Sequence, residues 1–266
     1  MAIVPLSKSE HSDLKILPVD LNNFSDLSLV PIYFHEINQL ACEYPLCFTI
    51  RDGVVDFQLL SSVSPEQGSA LIKKDGTWVG RYVPAYLKHY PFFAFSQENN
   101  EGSIFIEDES PRLGRSDGNP LFQNSEPTEA LEQIIADVGF IFDSAKKTQV
   151  ILEALNKFEL ITPWEPKIKT SSTDQETIIS GIYRIDELAF NELSDTAWNQ
   201  LRGISAFPLI YGQLFSTNNL AKLVVYQNLK SRLPSEKDLG VSIDTDSQSL
   251  NFDLSKENKD LDFDNL

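Results

Sequence analysis

The chain has 266 residues, of which 41% are hydrophobic, and its 39 acidic and 22 basic side chains give a formal net charge of −17. A chain of this length can bury a full core without disulfide or metal support. The acidic balance disfavours nucleic acid and anionic lipid headgroups as partners, because both are polyanions.

Signals for export or membrane insertion are weak. Residues 1–8 contain a proline, a serine and a lysine, which interrupt the apolar stretch that a secretory signal requires. The longest nearly apolar run, 204–215, falls well short of the roughly 20 residues that span a bilayer. Cys42 and Cys47 are expected to be small buried hydrophobes of a reducing compartment. We therefore expect a soluble, cytoplasmic protein without a membrane span.

β-hairpins dominate the first half of the predicted structure. Residues 1–30 predict an extended lead-in with a strand at 14–19, and the apolar spacing of 31–44 predicts a short amphipathic helix. Asp-Gly turns mark two hairpins and a polar loop marks a third, since such brief connections join only antiparallel neighbours. The hairpins pair 46–50 with 54–60, 71–74 with 77–79, and 92–95 with 103–106.

Helical periodicity dominates the second half. Apolar residues recur at helical spacing over 131–142 and again over 151–158, with a break predicted near Asp143-Ser144. A strand is predicted at 178–185, after the polar stretch 167–177. Further helices are predicted at 186–193, 195–201, 207–215 and 217–229.

These elements predict an α+β fold, in which an antiparallel sheet built from hairpins is flanked by helices. We expect one domain over 1–230, β-rich in 1–122, helical in 123–165, with a strand plus helices in 178–230. Residues 231–266 alternate acids, amides and serines with isolated apolar residues. Such a segment buries too little apolar surface to offset its ordering entropy, so a disordered acidic tail is predicted.

Motifs for catalysis are absent or incomplete. No glycine-rich phosphate-binding motif follows a strand. His11-Ser12-Asp13 matches half of a two-histidine, one-carboxylate iron site, which His35 or His89 could complete. A match this short also arises by chance in an acidic chain. We therefore predict no catalytic residue, no metal ligand and no cofactor, and keep an iron-dependent oxygenase-type enzyme as the alternative.

The aromatic-basic segment, defined here as residues 77–96, contrasts with the rest of the chain. It contains no acidic residue, yet carries Arg81, Lys88, His89 and a concentration of aromatic rings. One interpretation is that Trp78 and the phenylalanines fill the core while the basic groups reach the surface.

The other interpretation is a recognition surface. Tyr82, Tyr86 and Tyr90 are spaced by four, so they share a face if the segment is helical. Their rings could stack on a sugar or peptide, while Arg81 and Lys88 hold an anionic group. We predict a ligand-binding surface of Arg81, Tyr82, Tyr86, Lys88 and Tyr90, with a protein, peptide or saccharide ligand. The oligomeric state stays open.

The same segment carries a family resemblance. Gly76-Thr77-Trp78, followed by 82–92 (Tyr-Val-Pro-Ala-Tyr-Leu-Lys-His-Tyr-Pro-Phe), is similar to a Gly-x-Trp and Tyr-(Ile/Val)-Pro-Ala-x-(Leu/Ile)-(Arg/Lys)-x-Tyr-Pro-Phe pattern. On this pattern the chain resembles the SapC-like family of bacterial proteins, over about residues 5 to 230. Residues 43–48, 181–187 and 210–216 are also similar to family segments.

The resemblance implies a role more than a reaction. Members of this family are often labelled peptide-transport permeases, a label that a chain without a membrane span contradicts. They are often encoded near outer-membrane receptors, flavin-dependent halogenase-like proteins and cupin-type oxygenases, which implies an accessory role in nutrient uptake or modification. We therefore predict a non-catalytic binding or accessory protein.

Overall fold

The computed structural model describes residues 3–96, 102–124, 126–169, 176–232, 241–244 and 249–252. Its strands are, in chain order, β1 (Ile3–Pro5), β2 (Lys15–Ile16), β3 (Leu29–Pro31), β4 (Leu46–Arg51), β5 (Val54–Leu60), β6 (Phe92–Ser96), β7 (Gly102–Glu107), β8 (Leu113–Gly114), β9 (Asn119–Pro120), β10 (Phe122–Gln123), β11 (Glu126–Pro127), β12 (Ile161–Trp164), β13 (Lys167–Lys169), β14 (Glu176–Ile178), β15 (Ile182–Ile185), β16 (Val241–Asp244) and β17 (Ser249–Phe252). Its α-helices are α1 (Lys8–His11), α2 (Ile37–Leu40), α3 (Ala85–His89), α4 (Glu129–Lys157), α5 (Glu187–Asn191), α6 (Asp195–Gly203), α7 (Phe207–Ser216) and α8 (Leu220–Arg232).

The main sheet is antiparallel and has the strand order β12-β15-β4-β5-β3. Its centre is the predicted hairpin of β4 and β5, in which Arg51 pairs with Val54 across Asp52-Gly53. Both turn residues have left-handed φ values, 51° and 80°, as the favoured two-residue hairpin turn requires. Local turn chemistry therefore fixes the register of this sheet.

The other predicted hairpins differ in extent. Strands β6 and β7 pair as predicted and form a second antiparallel sheet with β1. At Asp75-Gly76 the predicted hairpin is reduced to a single bridge between Ile72 and Trp78. The predicted strand at 14–19 contains only β2, which pairs with β8 and β9 in a small third sheet.

Helix α4 is continuous over 29 residues, so the break predicted near Asp143-Ser144 is wrong. Thr128 caps its N-terminus by accepting a hydrogen bond from the Leu131 amide. Ser144 is buried, and its hydroxyl accepts a hydrogen bond from the His35 amide at 3.1 Å. This tertiary contact offsets the low helix propensity of serine at that point.

Two further predicted elements are shorter than expected. The helix predicted over 31–44 is a 3-10 turn, Phe34–Glu36, followed directly by α2. The strand predicted over 178–185 is divided into β14 and β15 around Gly181, whose φ is 79°. The predicted helices of 186–229 are confirmed as α5 to α8, with the last one beginning at Leu220.

The core consists of two hydrophobic clusters, and α4 contributes to both. Its residues Ile151, Leu152 and Leu155 belong to the larger cluster, which includes the residues of the central hairpin. Leu131 and Val138 of the same helix belong to the smaller cluster. Antiparallel sheets and helices thus form the fold together, and the predicted α+β class is confirmed.

The predicted domain limits stay predictions. Of residues 231–266, the structure describes only the end of α8 and the antiparallel pair β16 and β17, so the predicted disorder lies largely outside the described residues. Cys47 is buried as expected, whereas Cys42 is exposed, so that expectation was wrong for Cys42. Across the described ranges, no helix is both long enough and apolar enough to cross a bilayer.

Candidate functional site

The buried carboxylate of Glu36 holds the aromatic-basic segment against the body of the protein. Glu36 is 0% exposed. Its Oε2 accepts a hydrogen bond from the Tyr33 amide at 2.9 Å, and its Oε1 accepts one from the Ala85 amide at 2.6 Å. The Tyr82 hydroxyl donates a third hydrogen bond to the same carboxylate. One side chain therefore fixes the start of α3 and the conformation of Tyr82.

The environment of Glu36 alters the proton affinity of the whole cluster. Burial raises the pKa of Glu36 to about 7, although the three hydrogen bonds partly oppose this shift. Burial, and then the charge of Glu36, raises the pKa of Tyr33 to about 12 and raises that of Tyr82 as well. Both phenols therefore remain protonated at neutral pH and can donate hydrogen bonds.

A second carboxylate, that of Glu43, holds Arg81. The Arg81 amide donates to Glu43 Oε2 at 3.1 Å, and the guanidinium Nε donates to Oε1 at 2.9 Å. Burial alone would raise the pKa of Glu43, but the hydrogen bonds from Arg81 outweigh burial and lower it. The Arg81 side chain is nevertheless 93% exposed, so its outer nitrogens lie at the surface.

The remaining predicted ligand residues lie on or next to α3. Lys88 is exposed. Tyr90 is half-buried and its hydroxyl bonds to the side chains of Ser110 and Glu107. The rings of Tyr86 and Tyr90 each lie 6.3 Å from the ring of Phe93, centroid to centroid. The structure thus brings Tyr86 and Tyr90 together around one ring, while Arg81 and Tyr82 are held by separate carboxylates.

Tyr86 lines a cavity of about 430 Å³ between the main sheet and α4. Tyr33 forms another part of the wall, and α4 contributes Ala145 and Leu152. A smaller cavity of about 110 Å³ shares Tyr33, Tyr86 and Ala145 with the first. Tyr86 is therefore the member of the predicted ligand surface that contributes to both cavities.

The sheet side of the larger cavity is polar. Strands β4 and β5 supply Arg51, Asp56 and Gln58, which share one face of the hairpin because residues alternate between faces along a strand. Gln58 is 9% exposed, and its Oε1 has no hydrogen-bond partner among the residues that the structure describes. The Thr49 hydroxyl, on the same face, is likewise unpartnered within that part of the chain. Unpaired buried polar atoms are rare in native proteins and indicate an unseen partner.

The histidines of the predicted iron site have other partners. His11 is buried, and its Nδ1 lies 3.0 Å from the Ser7 amide nitrogen. Asp13 pairs with Arg115 at 3.2 Å. In the described ranges no three histidine, cysteine or acidic side chains are grouped as metal ligands would be. His11 and Asp13 thus do not form such a group with His35 or His89.

Sequence reasoning missed Glu36, Tyr33 and Gln58. A signal existed for Glu36, because it lies on the same helical face as Ile32 and Leu40 and is the acidic residue of an otherwise apolar stripe. Gln58 gives no such signal, because a polar residue in an alternating strand usually faces solvent. Its burial follows only from the position of α4 over this face.

Alanine at Arg81 is expected to lower the free energy of unfolding by less than about 1 kcal/mol, because the ion pair with Glu43 is exposed and screened by water. Lys88→Ala is expected to have a still smaller effect, because the side chain is exposed. Urea denaturation of both variants, followed by tryptophan fluorescence, measures the change. A loss well above this limit would show that Arg81 is a structural residue.

The comparisons with known proteins agree with the resemblance described above. A family model described as SapC matches residues 6–223, a range that includes the aromatic-basic segment, Glu36 and the cavity. No curated protein and no solved structure matches the chain. Because the family model matches most of its length, the chain belongs to the SapC family.

Proposed function

We propose that this SapC-family chain is a non-catalytic binding protein whose ligand occupies the cavity between the main sheet and α4, in contact with Tyr86. The observation that carries the proposal is the buried, unpartnered amide oxygen of Gln58 on the cavity wall. An unpaired buried acceptor costs about 1–3 kcal/mol. A ligand that donates a hydrogen bond to Gln58 would remove this cost in the bound state.

The size and lining of the cavity support a small ligand. Its volume of about 430 Å³ lies within the range of roughly 300–1,000 Å³ that is typical of small-molecule sites. Its apolar wall includes Leu152, and its polar groups are few, which is the usual composition of such sites. Of the ligand classes predicted from the sequence, the cavity has room for one sugar ring or one residue of a peptide.

The chemistry of the tyrosines supports binding over catalysis. Burial, followed by the charge of Glu107, raises the pKa of Tyr86, and the pKa of Tyr33 is about 12. Protonated phenols of this kind stack and donate hydrogen bonds, and they are poor bases at neutral pH. An accessory role in uptake or modification, in which the chain holds a small molecule for another protein, is consistent with such a site.

Filling the cavity is expected to abolish binding. The variant Ala145→Leu adds a branched side chain to a position that lines both cavities. Ala136→Leu makes the same change at an exposed position of α4 and serves as the matched control. A fragment library is screened by ligand-detected NMR. We expect fragments that bind the wild type and Ala136→Leu to bind Ala145→Leu at least tenfold more weakly.

Two results would contradict the proposal. One is that no fragment binds the wild-type chain. The other is that Ala145→Leu binds the same fragments with unchanged affinity, which would locate them elsewhere on the protein.

A further inference from the structure

The polar residues of the cavity are graded in depth. Arg51, beside the turn of the central hairpin, is exposed, Asp56 is half-buried and Gln58 is buried. A long arginine side chain keeps its charged head in water when its stem lies against a surface. The inner end of the cavity is therefore defined by Asp56 and Gln58, with Arg51 at the solvent side.

The inner end lacks hydrogen-bond donors for its acceptors. The Oε1 of Gln58 has no partner in the described part of the chain, and Asp56 lies two residues before it on the same face of β5. Thr49, directly opposite Asp56 in the strand register, has the second unpartnered oxygen. A carboxylate accepts hydrogen bonds only, as does an amide oxygen. The complementary group on a ligand is a donor with several hydrogens.

The electrostatic field around the cavity favours a cation. Burial first, and then the charge of Glu36, raises the pKa of Tyr33, and burial followed by Glu107 raises that of Tyr86. The negative potential that opposes ionisation of these two phenols also attracts a positive group. Their rings add the favourable interaction of an aromatic face with a cation. The net charge of −17 acts in the same direction at longer range.

We propose that the cavity binds a small primary amine with a compact apolar body. The ammonium group donates hydrogen bonds to the Asp56 carboxylate and to Gln58 Oε1, and the apolar body lies against Leu152 and the rings of Tyr33 and Tyr86. This inference rests on the proposed binding function and adds the chemical class of the ligand.

An ammonium group fits this lining better than a neutral polyol does. It offers three donors and no acceptor, so none of its atoms faces the oxygens of Asp56 and Gln58 with a lone pair. A sugar ring presents hydroxyl oxygens as well as hydroxyl hydrogens, and gains no Coulomb attraction from Asp56. A carboxylate ligand would meet Asp56 with like charge.

Three probes of one scaffold separate these possibilities: 4-phenylbutylamine, 4-phenyl-1-butanol and 4-phenylbutyrate. Isothermal titration calorimetry measures their dissociation constants with the wild-type chain. We expect the amine to bind at least tenfold more tightly than the alcohol, and the carboxylate to bind more weakly than either.

Variants then test the two acceptors. Asp56→Asn is expected to reduce the preference for the amine over the alcohol to less than threefold. Gln58→Met, which has a similar shape and no amide, is expected to weaken amine binding at least tenfold without lowering the thermal midpoint. Asp52→Asn makes the same charge change at the exposed hairpin turn and is expected to behave as the wild type.

The outcomes are decisive. Equal binding of the amine and the alcohol, an undiminished amine preference in Asp56→Asn, or no binding of the amine would each overturn the amine assignment. If the alcohol binds as well as the amine and Ala145→Leu abolishes both, the binding function stands and only the ligand class is wrong. If the fragment library also fails to bind the wild type, the binding function falls with it.

Discussion

Replacement of Glu36 by alanine is expected to lower the free energy of unfolding by roughly 2–4 kcal/mol at neutral pH. The change removes the acceptor of the Tyr33 and Ala85 amides and of the Tyr82 hydroxyl. Buried donors without an acceptor cost about 1–3 kcal/mol each, and release of the buried carboxylate offsets part of that sum. Urea denaturation measures the loss, with Glu66→Ala as an exposed control.

The same carboxyl group makes stability depend on pH. The pKa of Glu36 is about 7 in the folded chain, against 4.5 for an unperturbed glutamate, so the folded chain retains a proton that the unfolded chain has released. The resulting stabilisation is complete below pH 4.5 and is lost as pH rises through about 7. At 1.36 kcal/mol per unit it amounts to roughly 3 kcal/mol.

The variant Glu36→Gln cannot titrate, so it is expected to remove this part of the pH dependence. Urea denaturation of the wild type and of Glu36→Gln at a series of pH values between 4.5 and about 7 makes the comparison. A variant that keeps the wild-type slope of unfolding free energy against pH would show that another group is responsible.

Gly80→Ala is expected to destabilise the fold by about 3 kcal/mol or more. The φ of Gly80 is +118°, and a Cβ there would lie 1.8 Å from the Tyr44 hydroxyl oxygen. That hydroxyl donates to the Val79 carbonyl oxygen at 2.8 Å and accepts from Trp78 Nε1 at 2.9 Å. The methyl group must displace the hydroxyl, so both buried hydrogen bonds are lost in addition to the backbone strain.

Gly53→Ala separates strain from steric overlap. Gly53 also has a left-handed φ, +80°, but a Cβ there would have no atom within 4 Å. Its expected cost is the conformational strain alone, about 1–2 kcal/mol. Chemical denaturation of the two variants in parallel gives the difference. Equal losses would mean that the Tyr44 hydroxyl moves aside without consequence.

The parts of the fold that could be predicted from sequence are those that local chemistry decides. Asp52-Gly53 forms its hairpin because both residues accept left-handed φ between two β-prone runs. The same dipeptide at Asp75-Gly76 forms no comparable ladder. There the Asp75 carboxylate accepts from the Thr77 amide at 2.9 Å and from its hydroxyl at 2.6 Å, so the turn is closed by a side chain.

The wrong predictions concern residues whose partners are distant in sequence. Asp143 and Ser144 have low helix propensity, and nothing nearby reveals that Ser144 bonds to His35, 109 positions away. The same holds for the site. Ring spacing selected Tyr86 correctly as a cavity residue, but the roles of Glu36 and Gln58 depend on long-range packing that periodicity cannot report.

The continuity of α4 constrains the length of the chain between its two ends. Leu131 and Val138 point into one cluster, and Ile151 and Leu155 into the other. Each residue of an α-helix advances by about 100° around the axis. A one-residue deletion between Val138 and Ile151 would therefore turn one set of side chains away from its cluster by that angle. Length variation within α4 should be tolerated only in steps of about seven residues, close to two full turns.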